Sequence, residues 1–316
     1  MGLFARTTNI AGWLVASIDG DGICVAHIKH VQSAKPEVTF VKDYPVNQSS
    51  VPAELEKIAK ELQADRYQCA TLLASGEYHI MSVEAPNVPP EELKTAIRWR
   101  LKDMLDYPAD EATVDVLDIP VDKSASVRAH SVYAVAARNS LIEQRQALFK
   151  QARIPLSAID IPEMAQRNIS ALLEPEGRGI ALLSFDAAGG LLTITYAGEL
   201  YFTRRIDVTL QQLKQSDENA RQATYDRVTL ELQRSLDHLD RQYHFITLAR
   251  LVLAPLVEGG AELQAYLAAN LYMQVEILDL ESVLDMTKAQ ELMQPELQQR
   301  YFVLLGAALR DETTAS

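Results

Sequence analysis

Short apolar runs separated by polar turns, followed by a helical period, occur twice along the chain. Residues 13–74 predict strands at Trp13–Ile18, Ile23–Lys29 and Glu37–Tyr44. A helix follows from Val51-Pro52 with Leu55, Ile58, Ala59 and Leu62 on one face, then a strand at Cys69–Ala74. Residues 179–254 repeat that order, with strands at Gly179–Phe185, Leu191–Tyr196, Glu199–Ile206 and Arg250–Ala254. No Gly or Pro falls within 199–254, and Tyr225, Val228, Leu232, Leu236, Leu239, Tyr243 and Ile246 step by threes and fours. That spacing predicts one long amphipathic helix over about 208–246. Each copy turns from its first strand to its second through small residues, Asp19-Gly20-Asp21-Gly22 and Ala187-Ala188-Gly189-Gly190. Two βββαβ units predict an α/β protein of two lobes.

Between the copies the repeat is suspended. Strands at Tyr78–Val83, Ala112–Leu117 and Arg128–Ala136 predict a β-α-β-β-α module over 77–153. Its first helix follows Pro90 with Leu93, Ala96, Ile97, Leu101, Met104 and Leu105 as an apolar stripe. Its closing helix is Ser140–Ala152, with Ser140 and Glu143 as a capping box. The first lobe is then 1–76 together with 154–178 and 298–313, and the second is 179–297. Pro255 to Gly260 reads as a turn, and Gln298–Arg310 as a closing helix.

With 316 residues and 48% hydrophobic content, the chain has enough apolar surface for one large or two medium cores. A net charge of −13 repels a phosphate backbone and an anionic lipid surface, so neither nucleic acid nor a membrane is an expected direct partner. Cys24 and Cys69 lie in apolar strand-like runs and read as reduced core residues of a cytosolic protein. No stretch approaches the roughly 18 apolar residues of a membrane span. Walker, nucleophile-elbow and paired-cysteine motifs are absent from the sequence.

Several separated stretches resemble the PilM-type pilus assembly proteins. Gly198-Glu199-Leu200-Tyr201-Phe202-Thr203-Arg204 is similar to their Gly-x-Leu-x-Phe-Thr-Arg strand. Pro90-Glu91-Glu92-Leu93 through Ile97-Arg98-Trp99 is similar to their insert helix, and Glu231-Leu232-Gln233-Arg234-Ser235-Leu236-Asp237 to their second-lobe helix. Tyr301 to Arg310 and the opening Gly2-Leu3-Phe4 fit as well. Within the family the resemblance is nearest to members from mannose-sensitive haemagglutinin pilus systems. It implies an actin-like (ribonuclease H-like) fold related to the cell-division protein FtsA. It also implies a cytosolic scaffold docked on the N-terminal tail of a PilN-like inner-membrane protein, linking it to the pilus assembly ATPase. Membrane contact is then made through the partner.

The resemblance also implies a nucleotide cleft for ATP or ADP with Mg²⁺, in which each lobe offers a phosphate-cradling turn and a metal-holding acid. Aligned on the strands, Ser17 and Ser184 stand where those acids are expected, and Cys24 stands where a lysine often follows the first turn. The cleft positions are Ser17, Gly20, Asp21, Gly22, Ser184, Gly189 and Gly190. Gly259 and Gly260 fall on the adenine side, in Val257-Glu258-Gly259-Gly260. A hydroxyl cannot replace the lost carboxylate charge, so the expectation is a degenerate site without hydrolysis and with no protein metal ligand. The alternative is an ATP-binding protein with altered ligands, Asp19 and Asp186 entering by a register shift. A sugar- or acetate-kinase relative needs an intact phosphate loop and a differently built insert. Trp99 falls roughly 150° from the centre of its helix's apolar stripe. It reads either as a partner contact or as a side chain covered by another subdomain.

Overall fold

The computed structural model describes residues 10–20, 22–32, 34–46, 51–121 and 130–310. In chain order it begins with β1 (Trp13–Asp19), β2 (Gly22–Lys29), β3 (Glu37–Pro45), α1 (Val51–Leu62) and β4 (Gln68–Leu72). There follow β5 (Tyr78–Glu84), α2 (Pro90–Arg100), β6 (Ala112–Asp118), β7 (Ser131–Arg138), α3 (Asn139–Gln151), β8 (Leu156–Asp160) and α4 (Pro162–Leu173). The second half has β9 (Gly179–Phe185), β10 (Gly190–Tyr196), β11 (Glu199–Ile206), α5 (Leu210–Leu213) and α6 (Glu218–Gln242). It ends with β12 (Leu248–Leu253), α7 (Gly260–Asn270), β13 (Val275–Ile277) and α8 (Pro295–Ala308).

Two five-stranded sheets share one topology, β3-β2-β1-β4-β8 and β11-β10-β9-β12-β13, and the insert forms a third sheet, β5-β7-β6. In each large sheet the first three strands pair antiparallel and the last two join in parallel. The central strands are covered on both faces, which is why they read as unbroken apolar runs. On β1, Trp13 and Val15 face the core between the lobes, while Leu14 and Ala16 face α1 and α3.

The repeated unit is longer than the sequence pattern suggests, βββαβαβα in each half. Helix α3, expected to close the insert, is the first lobe's own second helix. Its Phe149 is fully buried beside Leu55, Ile58 and Cys69. Its start also differs from the expected Ser140–Glu143 box. Strand β7 runs directly into α3, and the cap residue Arg138 makes no side-chain cap bond.

Helices α4 and α8 exchange partners. Helix α8 lies on β1, β2 and β4, whereas α4, placed by sequence with the first lobe, packs on β9, β10 and β11. The two helices cross closely: a Cβ on Gly306 would stand 2.2 Å from the Ala165 carbonyl oxygen, and Asn168 Nδ2 donates to the Gly306 carbonyl at 2.9 Å. The boundary at 297 shifts for the same reason of packing. Leu280, Leu284, Met286 and Leu292 enter the core built on β1 and β3, and Asp285 bridges to Glu37.

The single helix expected over about 208–246 is two helices. Thr209 and Gln212 form a capping box on α5, and Asp217 accepts from the N–H groups of Asn219 and Ala220 at the head of α6. Side chains that satisfy orphan helix N–H groups start a new helix without any Gly or Pro. Helix α2 also stops early, at Arg100, so Met104 turns out to solvent at 50% exposure while Ile97 and Leu101 stay buried. Both cysteines are free and buried.

Candidate functional site

The two small-residue turns are built alike. In the first, Ser17 is half-buried on β1 opposite Cys24, Gly20 is exposed at the tip, and Asp21 lies outside the described residues. Asp19 Oδ1 accepts the Gly22 N–H at 3.0 Å. In the second, Asp186 Oδ1 accepts the N–H groups of Ala188 at 2.7 Å and Gly189 at 2.9 Å. Each lobe thus carries a serine, a carboxylate two residues later and a glycine three beyond that, with the carboxylate closed onto the glycine. Asp19 and Asp186 act as acceptors within their own turns. A phosphate seated in either turn has to displace that carboxylate first.

Ser184 is tied back into the fold. Its hydroxyl donates to Gln166 Oε1 at 2.7 Å. The buried Gln166 amide in turn donates to the carbonyls of Leu182 (2.7 Å) and Leu191 (3.1 Å) and to Thr193 Oγ1 (2.9 Å). Gln166 is a site residue that sequence reasoning missed, since a glutamine in a helical stripe carries no signal of the strand it will meet.

At the two positions expected on the adenine side, Gly259 caps α7 with φ 76°, and Gly260 is buried. Leu213 of α5 approaches Gly259 closely enough that a Cβ there would stand 3.2 Å from its carbonyl oxygen. Lys214 pairs with Glu258 at 3.2 Å, and the Val257 N–H donates to Gln299 Oε1 at 3.0 Å. Gly259 and Gly260 therefore lie under α5 and α8, on a different segment from the two turns.

At the lysine position, Cys24 Sγ donates to Asp43 Oδ1 at 3.0 Å, and Arg300 of α8 pairs with the same carboxylate at 3.0 Å. Burial, then the bond to Asp43, pushes the Cys24 thiol up to about 12, so it stays protonated. Among the described residues no three His, Cys, Asp or Glu side chains converge as a metal cluster.

A groove of about 490 Å³ lies between two helices of the first lobe, lined by Val51, Pro52, Leu141, Leu148, Glu77 and Arg145. Its walls are α1 and α3. Glu77 accepts twice from Arg145 Nη2, at 2.8 and 3.1 Å. Trp99 is 67% exposed on α2 and borders a separate depression with Leu105, Tyr107 and Pro108. The structure does not bring Trp99 to the groove, and no described residue buries it.

A family model described as type IV pilus assembly protein PilM matches residues 28–281. The chain belongs to the PilM family. Among solved structures, a PilM–PilN type IV pilus biogenesis complex aligns at TM-score 0.67 and 20% identity, over 95% of this PilM chain and 98% of that one. A Bacteroides thetaiotaomicron protein of unknown function with an actin-like ATPase fold aligns at TM-score 0.52 and 13% identity, over 94% and 98%. The cytoplasmic domain of EpsL, an inner-membrane component of the Vibrio cholerae type II secretion system, aligns at TM-score 0.50 and 16% identity, over 94% and 100%. At such identities the likeness is one of fold, and the fold is actin-like. No curated protein sequence matches the chain. No described helix of this PilM protein is long and apolar enough to cross a membrane.

Proposed function

We propose that this PilM-family protein is a cytoplasmic scaffold of a type IV pilus. In this reading it is the MshI component of a mannose-sensitive haemagglutinin system, and it binds the N-terminal tail of a PilN-like inner-membrane protein. It works without hydrolysing ATP, and reaches the membrane through that partner. The family match and the PilM–PilN likeness support the pilus role.

The observation that carries the non-catalytic reading is the pair of self-closed turns. Serines stand at the two metal-acid positions, and Asp19 and Asp186 accept turn N–H groups that a phosphate would need. These residues do not fit a magnesium triphosphate. The groove between α1 and α3 offers that tail apolar side chains, Val51, Pro52, Leu141 and Leu148, beside the charged Glu77 and Arg145. Trp99, on its own face, is assigned to a second contact in the same assembly, the pilus assembly ATPase.

Titration with a synthetic N-terminal peptide of the PilN-like partner tests the docking: saturation at micromolar peptide is expected, and none up to that range counts against it. Calorimetry with Mg-ATP and Mg-ADP is expected to be flat. Saturable magnesium-dependent heat favours the other reading, an ATP-binding PilM protein with altered ligands.

A further inference from the structure

Three side chains from distant parts of the chain meet in one knot, with Glu163 and Tyr78 buried and Arg205 reaching in from the surface. Glu163, in the first turn of α4, is fully buried. Tyr78, at the start of β5 in the insert, donates its hydroxyl to Glu163 Oε2. Arg205, on β11 of the second lobe, donates to the Tyr78 hydroxyl oxygen at 2.7 Å and to Glu163 Oε1 at 3.1 Å. Both carboxylate oxygens are therefore satisfied, the condition under which a buried charge is tolerated.

The knot is charge-balanced. Burial, then the neighbouring Glu163, holds the Tyr78 hydroxyl above the ordinary tyrosine range, so it remains a donor. Burial works against the Arg205 charge, but Glu163 and Tyr78 outweigh it and hold Arg205 above its usual range.

A second tie runs beside the first. Tyr133 of β7 donates to the Tyr201 carbonyl of β11 at 3.0 Å. Ile119 and Tyr133, both insert residues, sit in the second lobe's core with Leu192, Leu200 and Phe202. At the same end of the insert, Tyr78 and its cross-strand partner Ala137 pack with Leu73 and Ile161 of the first lobe. A module inserted in one lobe is thus fastened to both.

We propose that the insert is a strap: Tyr78, gripped by Glu163 and Arg205, fastens it to the second lobe and holds the two lobes in one closed arrangement using side chains alone. In a two-lobed fold joined mainly by crossing helices, lobe rotation is the soft motion. Here rotation has to pull the Tyr78 hydroxyl from Glu163 and Arg205 and strip Tyr133 from its carbonyl. The strap acts whichever partner occupies the groove, and it requires no ligand between the lobes.

Spin labels at Lys60→Cys on the first lobe and Glu262→Cys on the second, both exposed positions, report the lobe separation. In the ligand-free full chain the expected distance distribution is single and narrow. Tyr78→Phe and Arg205→Met are each expected to broaden it or add a longer distance, at a temperature where circular dichroism shows them folded. Tyr133→Phe is expected to add to the effect of Tyr78→Phe. If Arg205→Met does not fold, Tyr78→Phe, which removes one oxygen, carries the test. A distribution already broad in the unsubstituted chain overturns the proposal. So does one that stays narrow in Tyr78→Phe and Tyr133→Phe while their melting temperatures fall, since the knot is then ordinary packing.

Discussion

Gly22 and Gly189 hold the same place in the two lobes. Their φ angles are 152° and 146°, a backbone conformation that L side chains rarely adopt. A Cβ on Gly22 would stand 2.4 Å from the Tyr44 carbonyl oxygen, and one on Gly189 2.8 Å from that of Ile206, each at the end of the lobe's third strand. The duplication therefore extends from element order to single backbone atoms, and to the serine and aspartate that precede each glycine.

Alanine at either glycine meets both an unfavourable φ and a main-chain clash that no side-chain rotation relieves. Each single variant is expected to lose about 2–3 kcal/mol or more of unfolding free energy. Urea denaturation measures it, and a loss below about 0.5 kcal/mol at both positions would contradict the turn geometry.

Asp186→Ala leaves the Ala188 and Gly189 N–H groups without their acceptor. The turn is partly solvated, so water recovers some of the loss, and a cost of about 1–2 kcal/mol is expected. Asp186→Asn, whose side-chain oxygen accepts the same bonds, is expected to recover most of it in the same denaturation series.

Asp160 is 4% exposed and pairs with Arg310 at 3.0 Å. Burial holds its carboxyl above the ordinary value of 3.8 despite Arg310. Such a group binds its proton more tightly folded than unfolded, so its ionised form works against the fold at neutral pH. Acidification through the folded-state value relieves that cost, which is gone below 3.8. Asp160→Asn is therefore expected to be at least as stable as the parent at pH 7, with the difference shrinking toward pH about 4. Arg310→Ala strips the compensating charge and is expected to cost about 3–5 kcal/mol at pH 7. Unfolding curves across that pH range, with both variants, decide the sign.

Ala147 lines the groove and is exposed, so Ala147→Trp fills it without touching the core. Peptide binding is expected to vanish with unfolding free energy unchanged within about 0.5 kcal/mol. Trp99→Ala is expected to be equally neutral for stability and to leave peptide affinity intact, because its depression is lined by other residues. It is expected to weaken capture of the assembly ATPase instead. Titrating the same peptide into both variants separates the two surfaces, and loss of peptide binding in Trp99→Ala would merge them.

The strands and helices were legible because their signals are local. Alternation and three-to-four spacing report which face of an element is buried, whatever it is buried against. The doubled order of strands and the small-residue turns could be read the same way. The break before α6 is local too, since Thr209, Gln212 and Asp217 are capping residues within three residues of the helix starts. The matching serines, Ser17 and Ser184, were visible by aligning the turns, and the family resemblance alone gave those positions a meaning.

What the chain alone determined was its set of elements and the internal repeat, because each is decided by neighbours a few residues apart. Tertiary structure decided the allegiance of those elements: α3 to the first lobe, α4 to the second sheet, and residues 279–294 back to β3. An apolar stripe states that a face will be covered but not by which sheet, and that choice is made by shape across the whole core. The same holds for Tyr78, Glu163 and Arg205, ordinary in their own surroundings and joined only because three remote elements converge on the Glu163 carboxylate.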